Sequence, residues 1–371
     1  MRIIHIIVDN KFIDGAISLF DEGCKSECAY AIYVTNTDAY KAEYVRYKNL
    51  LFINGDNALD VINSYDVVIL HSLPCLPLDI IPQINPRVKV VWFAWGYDIY
   101  ETPYNVIPVE LFGPITRRHT FVLGKLNPRY YYEVMRAHHV LPKVISRIDY
   151  FSGVFSYEYD LIKENWKQFH ALALDYYYGS SNFFIPEIPS QEISERRNNI
   201  IVGNSANPTN NHLEVFSFIK EAKLADNANI IVPLSYGGGM RYINAVEKEG
   251  FKLFGDKFKP LRTYMPLDEY LDLTSRCKTA IFFHYRQQAS DNIFMQLING
   301  ARVFMSEKSK AYYYLRDLGL SVYTLENDID KINQELEEGY VLENRRILSE
   351  LYSSSKLIDR VSKIENLLSR E

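Results

Sequence analysis

The stretch Lys278–Ser306, KTAIFFHYRQQASDNIFMQLINGARVFMS, decides the fold class. It opens with an apolar run, 279–283, that has the length and boundaries of a buried parallel strand. A polar loop follows, and beyond it apolar residues recur at helical spacing, at Ile293, Phe294, Leu297 and Ile298. Gly300 ends that helix, and 302–305 reads as the next strand. The pattern predicts a strand–loop–helix–strand unit, the repeating element of a parallel α/β sheet.

The loop and helix start of this unit carry groups that suit an anion. Arg286 supplies a cation, and Gln288 adds a side-chain amide. Ser290 and Asp291 are good N-cap residues, and Asn292 falls in the first helical turn. A helix N-terminus presents N–H groups that the helix leaves unbonded, together with a partial positive charge. We therefore expect the unit to hold the diphosphate of a nucleotide-activated sugar; an ordinary crossover with a polar loop is the alternative.

Length and composition describe a globular protein with room for two domains. The chain has 371 residues, of which 47% are hydrophobic, and a net charge of −5, so the chain as a whole is not built for nucleic acid. Its four cysteines lack the spacing of a zinc site, which favours free thiols in a reducing compartment. The N-terminus does not read as a signal peptide, and the longest apolar run, 88–96, is about half a membrane span. We expect a cytoplasmic protein, or one on the cytoplasmic face of a membrane.

Strands and helices alternate along the first half of the chain. Short apolar runs that read as strands occur at 2–8, 29–34, 50–53, 66–71 and 88–95. Such alternation predicts a doubly wound parallel sheet, whose ligands lie beyond the carboxyl ends of the strands. The polar residues that follow three of these strands, at 9–15, 71–72 and 96–101, should therefore share one rim.

That rim carries candidates for general-base chemistry. Transfer of a sugar to a hydroxyl needs a group that takes the acceptor's proton. Asp98 is the first candidate for this catalytic role and Glu101 the second. Asp14 and His71 are acceptor-side alternatives. For each of them, a loop side chain without a catalytic role is the competing interpretation.

The segment from Arg117 to Arg147 is basic and aromatic. Glu133 is its only acid, tyrosines occupy 130–132, and its cations are Arg117, Arg118, Lys125, Arg129, Arg136, Lys143 and Arg147. A basic segment interleaved with aromatic residues fits peripheral contact with an anionic leaflet. A solvated helix face is the alternative.

The α/β pattern restarts after a polar, proline-containing stretch at 185–197, which is the best linker candidate. The predicted domains are 1–185, 198–340 and a helical tail, 341–371, that packs back on the first domain. In the second domain the pattern predicts a helix at 240–249 and a strand at 251–254. Polar helical sequence continues over 329–368.

Two further loops follow strands of the second domain. The first, 203–211, is rich in small and amide residues that let a backbone approach phosphate oxygens. The second, 235–239, is rich in glycine. Together they supply the donor-binding candidates Asn204, Ser205, Tyr236 and Gly237. Tight turns without a ligand are the alternative for both.

We expect no metal and no other cofactor. No Asp-x-Asp motif follows a strand, and the one at 328–330 lies at a helix start, where Asp is a capping choice. Without a cation, the charge of a diphosphate would be met by Arg286, by Arg241 and by helix termini.

Several stretches taken together resemble one family. They are WGYDIYE (95–101), GNS (203–205) with NNH (210–212), VPLSYG (232–237), Tyr242-Ile243, and HYRQQA (284–289) with Asn292. The set resembles the bacterial TDP-N-acetylfucosamine:lipid II N-acetylfucosaminyltransferases of glycosyltransferase family 56, which act in enterobacterial common antigen assembly. The likeness runs from about residue 66 to about residue 322 and is densest in the second domain.

The resemblance implies a GT-B fold, in which two Rossmann-like domains face each other across a cleft. It implies that the nucleotide-sugar donor binds the second domain and that a saccharide linked to undecaprenyl diphosphate binds the first. It also implies peripheral attachment to the inner membrane, which strengthens that interpretation of 117–147. Because the first 60 residues match less clearly, the donor sugar and the acceptor stay open.

The sequence thus predicts a transferase that moves a deoxy-amino sugar from a dTDP- or UDP-activated donor to a lipid-linked acceptor. Two other functions stay open at this point. One is a nucleotide-sugar epimerase of GT-B shape, and the other is a non-catalytic module that binds a nucleotide or a glycan.

Overall fold

The computed structural model describes residues 1–10, 12–36, 40–101, 103–120, 128–178, 197–222, 228–334 and 336–370. The chain forms two compact units. The first unit comprises Met1–Pro108, Asn127–Glu187 and Leu351–Glu371, and the second comprises Val109–Leu126 and Ile188–Glu350. The linker predicted at 185–197 lies almost wholly outside the described residues.

The first unit contains a seven-stranded parallel sheet in the order β3-β2-β1-β4-β5-β6-β7. Its strands are β1 (Arg2–Ile7), β2 (Glu27–Tyr33), β3 (Leu51–Ile53), β4 (Val67–His71), β5 (Lys89–Phe93), β6 (Tyr150–Ser152) and β7 (Leu172–Ala173). Its helices are α1 (Ile13–Gly23), α2 (Ala58–Asn63), α3 (Tyr97–Tyr100), α5 (Pro128–Arg147), α6 (Tyr157–Asn165) and α13 (Ser354–Ser369). β1 lies between β2 and β4 and is buried from Ile3 to Ile7, which explains why four of its six residues are Ile.

The C-terminal helix α13 belongs to the first unit. Ser362 Oγ donates to the carbonyl of Gly23 at 2.7 Å, and Glu365 accepts from the backbone N–H of Ser26 at 2.7 Å. A Cβ on Gly23 would lie 2.7 Å from the carbonyl oxygen of Ile358, so the glycine allows α1 and α13 to approach closely. The end of the chain therefore stabilises the sheet formed by its beginning.

The second unit contains a six-stranded parallel sheet in the order β10-β9-β8-β11-β12-β13. Its strands are β8 (Arg197–Val202), β9 (Asn229–Pro233), β10 (Phe258–Leu261), β11 (Cys277–Phe282), β12 (Arg302–Met305) and β13 (Val322–Thr324). Its helices are α4 (Pro114–Thr120), α7 (His212–Glu221), α8 (Met240–Phe254), α9 (Leu267–Ser275), α10 (Ser290–Ile298), α11 (Lys310–Asp317) and most of α12 (Glu338–Tyr352). The parallel α/β architecture expected from the sequence is confirmed.

One predicted strand of the second unit is wrong. Residues 251–254 continue α8, and the edge strand is β10, which begins four residues later. From this helix Phe254 packs against the core, with its ring centroid 5.4 Å from that of Phe216. Phe251 is half exposed and contacts Phe258 with ring centroids 5.0 Å apart. A short apolar run does not by itself distinguish a strand from the end of a buried helix.

The segment 109–120 packs with the second sheet, although the sequence placed it in the first domain. Glu214 accepts the backbone N–H of Ile115 at 2.7 Å and of Thr116 at 2.8 Å. Asn211 Oδ1 accepts from Gly113 N at 2.9 Å. These two side chains, both in or beside the first turn of α7, hold the start of α4.

Among the described helices, none is long and apolar enough to span a membrane.

Candidate active site

Three loops follow β8, β9 and β11 at the carboxyl edge of the second sheet, where parallel α/β sheets bind ligands. They are 203–211, 234–239 and 283–289. Ala206 N donates to the carbonyl of Tyr236 at 2.7 Å, which joins the first two loops. A Cβ on Gly238 would lie 2.2 Å from the carbonyl oxygen of Ala206, so only glycine allows this approach. Gly237 lies beside Ser205, where these two loops meet.

The buried side chain of Asn210 organises the first loop. Its Oδ1 accepts from Asn204 N at 3.0 Å and lies 2.9 Å from His284 Nε2. Its Nδ2 donates to the carbonyl of Asn207 at 2.9 Å and to Ser205 Oγ at 3.3 Å. One amide thus fixes both predicted donor-binding residues of this loop. That role of Asn210 was not predicted from the sequence, although the loop is visibly rich in Asn.

Gln288 joins the third loop to the first. Its Nε2 donates to Asn204 Oδ1 at 3.3 Å, and its Oε1 accepts from Thr209 Oγ1 at 2.6 Å. The structure therefore brings together Asn204, Ser205 and Gln288, as the sequence predicted. Tyr236, 45% exposed, belongs to the same cluster through its backbone contact with Ala206.

The N-terminus of α10 differs in one detail from the sequence prediction. Ala289, and not Ser290 or Asp291, is the cap residue, and it adopts a left-handed conformation with φ of 59°. A left-handed alanine costs roughly 1–2 kcal/mol, and such strain is common at functional sites. Ser290 is then the first helical residue, and Asn292 in the first turn accepts from the hydroxyl of Tyr270 at 3.1 Å. Both lie half-buried, beside backbone N–H groups that a helix leaves unbonded.

Arg286 lies buried in the third loop near buried His284, which in turn lies near buried His212. Burial and the nearby Arg286 charge hold the pKa of His284 well below its usual range. Burial lowers the pKa of His212 to about 3. Both imidazoles are therefore neutral near pH 7, and among the described residues His284 Nδ1 and His212 Nε2 have no hydrogen-bond partner. The cluster thus places the cation of Arg286 near a neutral imidazole.

The three loops contain no acidic residue over 203–211, 235–239 and 284–290. They offer side-chain amides, hydroxyls, a helix N-terminus and the guanidinium of Arg286. Such groups stabilise a negatively charged ligand, and a guanidinium adds charge-assisted hydrogen bonds. The arrangement can therefore receive the charge that develops on a departing phosphate.

The rim of the first sheet is built around the carboxylate of Asp98. This side chain is fully buried and accepts from Leu73 N at 2.9 Å, Trp92 Nε1 at 2.8 Å and Trp95 N at 2.8 Å. Burial raises the pKa of the Asp98 carboxyl despite those hydrogen bonds. Asp98 joins the loops that follow β4 and β5, and these contacts favour a positioning role over direct proton abstraction.

The other first-unit candidates occupy different environments. Glu101 is half-buried and ends α3, so its carboxylate is the more accessible of the two catalytic candidates. Asp14 accepts from the backbone N–H of Arg46 at 3.0 Å, close to where Asp9 accepts from Val45 N at 3.1 Å. Asp14 therefore anchors the segment around residue 45.

His71 is buried and belongs to a chain of hydrogen bonds. Its Nε2 lies 3.0 Å from His5 Nδ1, and its Nδ1 lies 2.7 Å from the hydroxyl of half-buried Tyr178. Burial lowers the pKa of His71 to about 3. His71 thus connects to half-buried Tyr178, a residue that was not predicted from the sequence. His5, the histidine among the isoleucines of β1, was the available sequence signal for the contact between His5 and His71.

Comparison with known proteins identifies the family of the chain. A family model described as 4-alpha-L-fucosyltransferase, glycosyl transferase group 56, matches residues 125–351, which is more than half of the chain. The chain belongs to glycosyltransferase group 56. The family expected from the sequence is confirmed, and this group 56 protein is a glycosyltransferase, which sets aside the epimerase and the non-catalytic module.

Solved glycosyltransferases of the GT-B class share the fold. OtsA without ligand aligns with a TM-score of 0.64 and 8% identity, over 100% of this chain and 99% of that one. The UDP-forming α,α-trehalose-phosphate synthase of Burkholderia vietnamiensis aligns at 0.62 and 10%, over 99% and 98%. HepE of Anabaena, solved with UDP and glucose, aligns at 0.56 and 9%, over 100% and 95%. This group 56 glycosyltransferase therefore has the GT-B fold.

Proposed function

We propose that this glycosyltransferase moves a deoxy-amino sugar, similar to N-acetylfucosamine, from a dTDP- or UDP-activated donor to a saccharide linked to undecaprenyl diphosphate. The observation that carries the proposal is the acid-free cluster of the second unit, in which Gln288 hydrogen-bonds to Asn204 and Thr209 beside buried Arg286. The structure of HepE with UDP and glucose supports a nucleotide-sugar donor for the shared fold.

On the donor side, the second unit holds the leaving group. Arg286 and the N-terminus of α10, with Gln288, Ser290 and Asn292, receive the diphosphate charge that develops as the sugar departs. Asn204, Ser205, Tyr236 and Gly237 line the region of the nucleoside and sugar. Because these groups are already held by hydrogen bonds, little reorganisation accompanies the reaction.

On the acceptor side, the first unit supplies the base. Glu101 takes the proton of the acceptor hydroxyl. The hydroxyl oxygen bonds to the anomeric carbon of the donor sugar, and the bond between that carbon and the diphosphate breaks. Asp98 keeps the turn before Glu101 in place through its three hydrogen bonds. Asp14 and the His71–Tyr178 pair complete the acceptor rim.

The acceptor lipid places the reaction at the cytoplasmic side of the inner membrane, in the synthesis of a surface polysaccharide. Exposed Tyr131, Tyr132 and Met135 on α5, together with its basic residues, support peripheral contact with an anionic leaflet. Within the described part of 117–147, Arg147 is instead structural, since it donates to the carbonyl of Val88 at 2.6 Å. Residues 121–127 of that segment lie outside the described residues.

A panel of nucleoside diphosphates tests the donor site. A ligand at about a hundred times its dissociation constant stabilises the folded protein by about 2.7 kcal/mol, which thermal unfolding detects. We expect dTDP or UDP to stabilise the protein more than GDP and more than inorganic diphosphate do.

A negative charge placed at the start of α10 tests whether the nucleotide binds at this helix terminus. Ser290→Asp suits a helix N-terminus but repels a diphosphate, so nucleotide binding should fall at least tenfold without loss of stability. Ser354→Asp, the same change at the first residue of α13, is the matched control and should leave binding unchanged. Equal nucleotide affinity in the wild type and Ser290→Asp would contradict the proposed donor site.

A further inference from the structure

Two of the four cysteines lie against each other in the first unit. Cys24 follows the last residue of α1 and Cys28 is the second residue of β2, so the pair spans the connection between the helix and the strand. Cys28 Sγ donates to Cys24 Sγ at 3.9 Å. The sulfur atoms need to approach by only about 2 Å to reach the S–S bond length of about 2.0 Å. The two thiols are therefore placed to form a disulfide.

Access and hydrogen bonding set this pair apart from the other cysteines. All four cysteines are free thiols, but Cys24 and Cys28 are partly exposed, whereas Cys75 and Cys277 are buried. The hydrogen bond from Cys28 lowers the pKa of the Cys24 thiol, and the same bond raises the pKa of Cys28. Because the thiolate is the reactive form of cysteine, Cys24 is the nucleophile of the pair.

The connection between the two cysteines also attaches the C-terminal helix α13. Glu365 of that helix accepts from Lys25 N at 2.9 Å and from Ser26 Oγ at 2.6 Å. Although partial burial raises it, the pKa of Glu365 is held below its usual range by hydrogen bonds from this connection, including one from the Cys24 thiol. The Cys24 thiol thus accepts from Cys28 and donates to Glu365, so a change at its sulfur reaches α13 through one contact.

The charges around the pair favour an uncharged oxidant. The segment 21–28 carries Asp21, Glu22 and Glu27 against one cation, Lys25, and Glu365 adds a further carboxylate. Like charges repel, so anionic reagents approach this site less readily than neutral ones do. A small, uncharged disulfide therefore suits the site better than an anionic one such as oxidised glutathione.

We propose that Cys24 and Cys28 form a thiol oxidation site, at which an uncharged low-molecular-weight disulfide converts the two thiols into an intramolecular disulfide and so loosens the attachment of α13. The Cys24 thiolate attacks one sulfur of the reagent, which forms a mixed disulfide and releases one thiolate. Cys28 then loses its proton, and its thiolate attacks the Cys24 sulfur and releases the second thiolate. The protein gives up two electrons and two protons, and the reagent takes them up as two thiols.

Disulfide formation changes the hydrogen bonds that Glu365 accepts. The oxidised Cys24 has no S–H to donate, and its sulfur is drawn to about 2.0 Å from that of Cys28. The carboxylate then keeps only the donors of Lys25 and Ser26, on a backbone that the new bond pulls. A helix attached by fewer hydrogen bonds opens more often, so we expect oxidation to expose the amides of α13.

Bis(2-hydroxyethyl) disulfide is the probe, and mass spectrometry of the folded full-length chain is the measurement. The wild type should lose two hydrogen atoms without retaining a mercaptoethanol group, and dithiothreitol should restore the original mass. Cys28→Ser cannot complete the second exchange and should retain one mercaptoethanol group on Cys24. Cys24→Ser should react about tenfold more slowly or less, because Cys28 has the higher pKa.

The double variant Cys75→Ala, Cys277→Ala is the matched control. It removes the two buried thiols and should still lose two hydrogen atoms, as the wild type does. A wild type that keeps its original mass, or that retains a mercaptoethanol group, overturns the oxidation site. Loss of the reaction in the double variant overturns it as well, because the reacting thiols would then be Cys75 or Cys277.

Hydrogen exchange tests the coupling to α13. After oxidation, the backbone amides of 354–369 should exchange about fivefold faster or more, whereas those of α7 in the second unit should not change. Cys24→Ser keeps a donor for Glu365 and cannot be oxidised, so the reagent should not change its exchange. An oxidised wild type with unchanged exchange in α13 overturns the loosening, and so does equal acceleration in α7, which a general loss of structure would produce.

Discussion

The carboxyl edges of the two sheets carry different chemistry. The loops that follow β8, β9 and β11 of the second sheet have no acidic residue, whereas the segments that follow β1 and β5 of the first sheet carry Asp9, Asp14, Asp98 and Glu101. In the second unit amides and Arg286 provide donors for an anion. In the first, carboxylates provide acceptors for N–H and O–H groups. The same architecture therefore carries two edges of different chemistry, and the proposed function assigns the leaving group to one and the acceptor hydroxyl to the other.

The two rims also differ in how their polar atoms are satisfied. Asp98 accepts hydrogen bonds from two backbone N–H groups and an indole, so one buried charge fixes the first rim. In the second rim neutral amides bond to one another across loops, as Gln288 does to Asn204. The first rim therefore depends on a single buried side chain, whereas in the second rim several amide side chains each contribute hydrogen bonds. The predictions below test that difference.

The largest effect should come from the accessible carboxylate of the first rim. Glu101→Gln keeps the size of the side chain but removes its basicity, and loss of a general base typically costs 10²- to 10⁴-fold in rate. We expect kcat to fall by about that factor, with the affinity for dTDP or UDP unchanged. Steady-state kinetics with calorimetry measures both, and an unchanged kcat would remove Glu101 from the mechanism.

Asp98→Ala should destabilise the first unit strongly. It leaves the N–H groups of Leu73, Trp92 and Trp95 without their buried acceptor, at a cost of about 3–5 kcal/mol. Urea unfolding followed by tryptophan fluorescence measures the loss. Nucleotide binding by the second unit should persist. A change below about 1 kcal/mol would show that Asp98 does not hold the rim.

Gly238→Ala should separate the first two loops of the second rim. Its new Cβ would lie 2.2 Å from the carbonyl oxygen of Ala206, and affinity for the nucleotide should fall about tenfold or more. Gly239→Ala is the matched control, because nothing lies within 4 Å of its Cβ. Equal losses in both variants would argue against a role for the loop contact.

Acid should weaken both units through their buried histidines. His71 and His212 have a pKa of about 3 when folded, against about 6.5 in an unfolded chain. The unfolded state therefore binds more protons below pH 6.5, and stability falls as pH drops from about 6.5 towards 3. Each histidine contributes up to about 1.4 kcal/mol per pH unit.

Variants assign that acid sensitivity to one residue at a time. His71→Asn and His212→Asn should each flatten the decline of stability between pH 6.5 and 4. Glu158 acts in the opposite direction in the first unit, because burial raises its pKa to about 7, so its contribution is lost as pH rises through 7. An unchanged pH profile in both variants would contradict the neutral state of these imidazoles.

The sequence by itself predicted most of the strands, their parallel arrangement and the loops that meet at the carboxyl edge of the second sheet. Short apolar runs mark the buried strands, and the carboxyl ends of parallel strands meet at one edge of a sheet. The loops 203–211 and 284–289 could therefore be placed at the same edge from the positions of their strands alone. Arg286, the amide side chains and the helix start that follows them were likewise readable, and they predicted an anion site before any contact was known.

Only the tertiary structure decided the partners of the polar side chains. Asp98 reads as a loop carboxylate in the sequence, yet it is buried because Leu73 N and Trp92 Nε1 converge on it. Segment 109–120 joins the second unit because Glu214, about a hundred residues away, accepts its N–H groups. Local periodicity encodes how a residue is buried, but hydrogen bonds between distant segments depend on three-dimensional packing that no local pattern records.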